Sequence, residues 1–444
     1  MNKITNKPKT YKRLHPKFVK KKGGGLYNSL LPLISVIAGL FLLLIPFNAS
    51  AELELHISKT SNDGIPIYIA NFGATSGIIT ADLKRSGRFN IVPHGKMQPR
   101  ISPYGGTLNA GAYQKVVEYI VRGKQVGGGD LEIELISTSD NAKTYYRITP
   151  NINPRRVAHK AADSIYEKIT RRKGAFDTRL AYVAVINKAS KNSVFRLYIS
   201  DSDGYNPQAI LSSRKPIMSP AWSPDGSELA YVSFETNTSA VYVQNIFTGE
   251  KRMVSARDGI NGAPAWSPSG THLALSLSVN GNPEIYTIKV RTGQLQQVTH
   301  SSAIDTEPVW IGNGSLIFTS NRGGSPQLYR IPSRGGKAQR LTFNGKYNSA
   351  PDIANHKLAF ITGSRGAFHV ALKSLGGHGK DILSNGTLDE SPSLSPNGAM
   401  VVYTTLRNGV NALAVVSDNT KSRQFLRSAA GDIREPSWSP YLHQ

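Results

Sequence analysis

Six carboxylates in the second half of the chain stand within three residues of Pro308, Pro351, Pro392 and Pro436, which recur at a regular interval: Asp305, Glu307, Asp352, Asp389, Glu390 and Glu435. If the fold gathers them, like charges become costly unless compensated, and the site would attract a cationic segment or a hard cation such as calcium. The alternative is that they are dispersed acids neutralised by Arg434 and Lys346, so no metal ligand is assigned. Other chemistry is thinner. Cysteine is absent, which removes disulfides, thiolate metal sites and cysteine nucleophiles. The ten histidines never pair at metal-ligand spacing, and His94 and His159 read as ordinary surface residues. No Gly-x-Ser-x-Gly occurs, so the nucleophile elbow of an α/β-hydrolase is missing. Gly127-Gly128-Gly129 lacks the ending of a phosphate-binding loop and reads as a hairpin turn. Asp225, in Ser223-Pro224-Asp225-Gly226, suggests a general acid until the copies are compared. Ser269 and Asn397 take its place in two of them, an exchange that a capping turn tolerates and a general acid does not. No catalytic residue and no cofactor is expected.

The elements that would position these residues are announced by a repeat. Ser219-Pro220, Ala263-Pro264, Glu307-Pro308, Ala350-Pro351, Ser391-Pro392 and Glu435-Pro436 mark six copies, with intervals of 44, 44, 43, 41 and 44 residues between prolines. That period belongs to propeller blades of four short strands. Each proline opens a strand, a polar turn follows, and an apolar strand such as Leu229-Ala230-Tyr231 or Leu273-Ala274-Leu275 comes next. A blade cannot bury both faces alone, so neighbours must stack, and a closed ring removes exposed ends. Three strands within 180–211 have no proline-led strand before them, while 434–441 is a proline-led strand with nothing after it. The simplest solution places that last strand innermost in the first blade. The expectation is a six-bladed propeller over 174–444, clasped by its C-terminus.

Residues 65–173 read differently. Strand signals at 66–70, 116–121, 131–136 and 145–148 are mixed with helical spacing at 77–86 and 155–172, the latter with Ala158, Ala161, Ala162, Ile165 and Ile169 on one face. The fold class expected is an α+β N-terminal domain followed by an all-β six-bladed β-propeller. Ahead of both, Leu53, Leu55 and Ile57 alternate with Glu54, His56 and Ser58. Residues 52–64 therefore begin as a strand and dissolve into turn residues. Either they pair permanently with the first domain's sheet, or they wait for a partner's sheet edge.

The formal charge of +24 is concentrated at the front. Nine of the 53 basic residues fall before residue 23, with no acid among them, leaving 44 basic against 29 acidic residues, or +15. The rest are scattered through turns rather than set in a stripe with aromatics, which argues against a nucleic-acid binder. A solvated surface is the plain reading, with attraction to anionic envelope material as the other. After the basic run, 30–47 is uncharged and strongly apolar, and Ala49-Ser50-Ala51 follows. This is the pattern of a secretory signal cut after Ala51, with an uncleaved anchor as the competing reading. Both carry Glu52 onward out of the cytoplasm.

The run 216–230, the stretch Lys173-Gly174-Ala175-Phe176, the segment Ser202-Asp203-Gly204-Tyr205-Asn206, Asn261-Gly262-Ala263-Pro264 and the terminal 438–442 resemble the TolB family. The resemblance extends through Ala81-Asp82-Leu83 and Ser86-Gly87 and covers 52–442. It implies a periplasmic, non-enzymatic and monomeric adaptor joining the lipoprotein Pal, on the outer-membrane side, to inner-membrane TolA. Such a protein would serve outer-membrane integrity and constriction during division, touching membranes peripherally. A propeller hydrolase of sialidase or lactonase type is the alternative. On the adaptor reading Pal meets Met218, Ala263, Thr306, Glu307, Asn348, Asp389, Glu390 and Glu435, the residues before the prolines, although strand capping would explain the polar ones equally well. TolA meets the segment Glu52, Leu53, Glu54, Leu55, His56 and Ile57. Ile260 stands where a histidine is common in the family, and His56 where one is not.

Overall fold

A computed structural model describes residues 64–149, 153–188, 190–364, 366–377 and 379–442. The basic leader, the apolar run and the segment from Glu52 to Ile57, with the expectations attached to them, lie outside the described residues. Among the described residues no helix is long and apolar enough to cross a membrane.

The first part is a mixed five-stranded sheet with two helices. Its strands are β1 (Ile65–Ile69), β2 (Phe89–Ile91), β3 (Tyr119–Gln125), β4 (Leu131–Ser137) and β5 (Lys143–Ile148), in the order β2-β1-β3-β4-β5. β1 runs parallel to both neighbours, and β3-β4-β5 is an antiparallel meander whose first hairpin turns at the glycine triplet. Alternation along β1 serves two cores. Ile67 and Ile69 face helices α1 (Ala74–Arg85) and α2 (Pro154–Thr170), while Tyr68 joins Met97, Tyr113 and Ile120 on the other side. α2 opens on Asn153, whose side chain accepts the Arg155 N–H at 2.9 Å, with Pro154 in the first turn. Its buried face carries Val157, Ala158, Ala161, Ala162 and Ile165, as the spacing predicts. α1 begins three residues before the expected start.

One histidine departs from expectation. His94 is exposed, but His159 is 1% exposed, and its Nδ1 lies 2.6 Å from Asp82 Oδ2 on α1. It is a buried group holding the two helices together, not a surface residue.

The second part is six four-stranded sheets. The first contains β6 (Arg179–Ile186), β7 (Val194–Asp201) and β8 (Gln208–Ser213), and its innermost strand is the C-terminal Asp432–Trp438, paired antiparallel with β6. The ring thus closes by the expected clasp. Innermost strands of blades two to six are Ile217–Trp222, Asn261–Trp266, Asp305–Ile311, Tyr347–Ala354 and Glu390–Leu394. The turn reading of Asp225 holds in all three copies. Asp225 accepts from Ser223 Oγ at 2.5 Å and Ser227 N at 3.0 Å. Asn397 does the same for Ser395 Oγ at 2.7 Å and Ala399 N at 3.0 Å, and Ser269 meets Ser267 Oγ at 3.1 Å.

The two parts share a core. One buried cluster runs from Ile79, Leu83 and Ile165 through Phe176 to Met400, Leu413 and Trp438, crossing the expected boundary at residue 173. Polar contacts surround it: Arg88 with Asp418 at 2.5 Å, Asn419 Nδ2 to the Gly87 carbonyl at 2.8 Å, and Asn397 Nδ2 to the Lys173 carbonyl at 2.9 Å. Gly87 is required here. Its φ is +66, and a Cβ would stand 2.4 Å from Ser417 Oγ.

Candidate functional site: the mouth of the propeller channel

Proline cannot donate to a sheet ladder, so each innermost strand must interrupt its pairing where proline falls. All six do so at one place. Register breaks over Ser219-Pro220, Ala263-Pro264, Glu307-Pro308, Ala350-Pro351, Ser391-Pro392 and Glu435-Pro436. At each bulge the residue before proline is left-handed, with φ of 52, 47, 54, 50, 50 and 50° respectively. Residues before proline ordinarily stay extended, and a non-glycine residue held left-handed stores on the order of 1–3 kcal/mol. The six strained residues all line one channel of about 1360 Å³. Bulges of this kind re-aim side chains out of a ladder.

The surrounding structure holds the strain by stapling each blade to the next. Trp222 Nε1 donates to the Ser437 carbonyl at 3.1 Å, Trp266 to Ala221 at 3.2 Å, and Trp310 to Ala265 at 3.0 Å. In the fifth blade Ile353 stands at the tryptophan position, and the carboxylate of Asp352, one residue earlier, accepts from Leu394 N at 2.6 Å in the sixth. Trp438 N–H donates to Ser393 Oγ at 3.0 Å, joining first and sixth blades. Two glutamates work on the mouth itself. Glu307 accepts from Thr319 Oγ1 and from Ala350 N, both at 2.8 Å, and Glu435 accepts from Ser219 N. Burial raises the carboxyl pKa of Glu435 and of Asp352, against the N–H bonds that lower it.

Placement divides the expected contact residues. Met218, Ala263, Thr306, Glu307, Glu390 and Glu435 line the channel. Met218 and Glu390 are exposed, and the other four are half-buried. Asn348 and Asp389 are 0% exposed. Asn348 Nδ2 donates to Gln327 Oε1 of the fourth blade at 2.8 Å, and the Asp389 carboxylate accepts from Ser384 Oγ and Gly386 N on the stretch leaving the fifth blade, so both are spent joining neighbouring blades. The acids do not form a cation cage either. Among the described residues no three of Asp305, Glu307, Asp352, Asp389, Glu390 and Glu435 bring oxygens within 4.8 Å of one another. Asp305 is neutralised by Arg322 at 2.6 Å and Arg434 pairs with Asp432 at 2.7 Å, not the pairings expected. Sequence reasoning passed over exposed apolar residues at the entry to three innermost strands. Ile260, 52% exposed, lines the channel, and Ile304 and Leu388, 50% and 41% exposed, stand likewise just ahead of their strands. The signal was available: a large apolar residue recurring one or two positions before the strand.

Comparison with known proteins agrees over both parts. The model of the TolB amino-terminal domain matches residues 53–139, and that of the TolB beta propeller domain matches 166–442. The Tol-Pal system protein TolB of Thioalkalivibrio sulfidiphilus is 46% identical over 436 residues, covering 93% of this chain and 100% of that relative. The protein of the same name in Methylococcus capsulatus is 47% identical over 416 residues, covering 90% and 97%. The crystal structure of TolB from Acinetobacter baumannii superposes with a TM-score of 0.80 at 35% identity, over 88% of this chain and 100% of that one. With a strained and stapled propeller mouth, a mixed α/β part docked beside it and relatives aligned across both, this chain belongs to the TolB family.

Proposed function

We propose that the chain is a periplasmic, non-enzymatic adaptor of the Tol-Pal system, working as a monomer. It takes the lipoprotein Pal at the channel mouth and TolA at residues 52–57, and so serves outer-membrane integrity and constriction at division. The observation that carries this reading is the ring of six strained bulges around an open channel. A rigid, pre-shaped cup with a partly apolar rim suits a protein surface, because little must be ordered on binding. Among the described residues that line the channel there is no histidine, lysine or cysteine, and Glu307 and Asp352 are committed to neighbouring backbone N–H groups. The domain limits proposed are a signal over 1–51, a partner-binding segment over 52–64, an α/β unit over 65–173 and the propeller over 174–444. Deleting 52–58 from the exported protein tests the adaptor reading. TolA binding is expected to disappear while Pal binding survives, and native TolA affinity in the truncated protein would refute the assignment of that segment.

A further inference from the structure

Helix α2 carries two titratable side chains one turn apart, His159 and Asp163, and both are packed into the joint with the propeller. Nδ1 of His159 is taken by Asp82, leaving Nε2 without a partner. A ring nitrogen of His159 and carboxylate oxygens of Asp201 and Asp203, at the end of β7 and the turn after it, lie within 4.8 Å of one another. Arg155 already supplies the counter-cation there. Its guanidinium is 2.5 Å from Asp203 and 3.5 Å from Asp201, and it lies over the Tyr205 ring at 3.8 Å. Asp163 accepts from Phe176 N at 2.7 Å and Asp177 N at 3.0 Å, on the stretch that leads into the first blade. A Cβ on Gly174 would fall 2.2 Å from its Oδ1, so that stretch is wrapped tightly around the carboxylate. The remaining charges facing the pair are Arg85, 2.8 Å from Asp82, Arg156, 2.8 Å from Asp177, and Arg179, which faces Asp201 and Asp177. Tyr441 faces Asp163 from the C-terminal end.

We propose that this joint is a proton-operated latch, in which protons taken up on α2 clamp the helix pair to the first blade and their loss releases it. The tautomer explains the direction. Asp82 accepts only, so Nδ1 keeps its proton, and a neutral ring presents the bare lone pair of Nε2 to two carboxylates. An imidazolium presents an N–H there instead. Although burial opposes it, the attraction of Asp82 and Asp203 leaves the His159 pKa raised, and burial pushes Asp163 up to about 7. Both groups thus hold protons more tightly in the closed joint than in an open one. Their contribution is complete below the open-state values, about 6.5 for histidine and 3.9 for aspartate, and is lost as pH rises through the closed-state ones. Burial raises Asp201 in the same sense. Asp203 is held low, acts oppositely, and titrates below this window.

Hydrogen exchange of the exported protein from pH 5.5 to 8.5, corrected for intrinsic rates, tests the latch. Opening of α1 and α2 is expected to increase about tenfold for each pH unit that one of these groups titrates in the closed joint, because one unit of pKa shift is tenfold in the equilibrium. Amides of blades three to five are expected to stay flat. His159→Gln and Asp163→Asn, which keep polar side chains of similar size, should each remove part of the slope. A pH-independent α1–α2 in the unsubstituted protein, or an unchanged slope in the double variant, would overturn the proposal, and the first outcome needs no variant to fold.

Discussion

The channel mouth and the joint beneath α1 and α2 solve the same problem of holding polar groups away from water in opposite ways. At the mouth a bulge over a residue–proline pair is repeated six times, and an indole or carboxylate reaches the neighbouring blade at five of the six junctions. Most of its donors and acceptors are uncharged or backbone. At the joint every contact occurs once and most carry charge, from Arg85 with Asp82 to Arg155 with Asp203. Repetition spreads strain over many equivalent bonds, so no single one decides the shape of the ring. A single buried network concentrates it, and losing one partner leaves a charge with no answer.

The largest effect should therefore come from the joint. Asp82→Ala removes the acceptor of both Arg85 and His159, each buried, and is expected to cost about 3–5 kcal/mol. Urea denaturation followed by a probe in the α/β part reads it, and a loss below about 1 kcal/mol would mean the network is not integral to the joint. At the mouth, Trp310→Phe keeps the ring and deletes one staple, leaving the Ala265 carbonyl unsatisfied at about 1–2 kcal/mol. Trp222→Phe and Trp266→Phe should cost the same within error. Unequal losses measured by the same denaturation would break the claim of equivalence. The smallest effect tests strain itself. Ala350→Gly should be neutral or stabilise by up to about 1 kcal/mol, since glycine accepts φ of +50° freely. Ala359→Gly, on a regularly paired strand nearby, should destabilise by about 1 kcal/mol. Equal losses at the two positions would show that the bulges carry no strain.

Much of this architecture can be read before any coordinates. Proline spacing marks the blades because proline is tolerated in a sheet only at edges and bulges, and three strands lacking a proline-led partner at the start of the repeat, with one proline-led strand left over at its end, leave one economical closure. The amphipathic stripe of α2 is equally local. What escapes reading depends on partners distant in sequence. His159 is buried by Asp82, 77 residues earlier, and by a turn beyond residue 200. Its position three residues before Ala162, on the apolar face, was the available hint. The left-handed pre-proline residues run against the rule that such residues stay extended, so only the closed ring reveals them. Asn348 and Asp389 share with the mouth residues their place before proline, but the bulge lies after them and leaves their side chains buried against the preceding blade.

The most direct test of the account is the affinity of Pal for two single variants of the exported protein. Ile260→Asp alters the mouth at a channel-lining side chain that is 52% exposed, and Phe247→Asp alters a 72% exposed side chain in an outer turn of the second blade. Calorimetric titration should show Kd raised at least about tenfold for Ile260→Asp, the order of an interfacial anchor, and unchanged for Phe247→Asp. Native affinity in a folded Ile260→Asp, or an equal loss in both variants, would contradict the assignment of the mouth as the partner site.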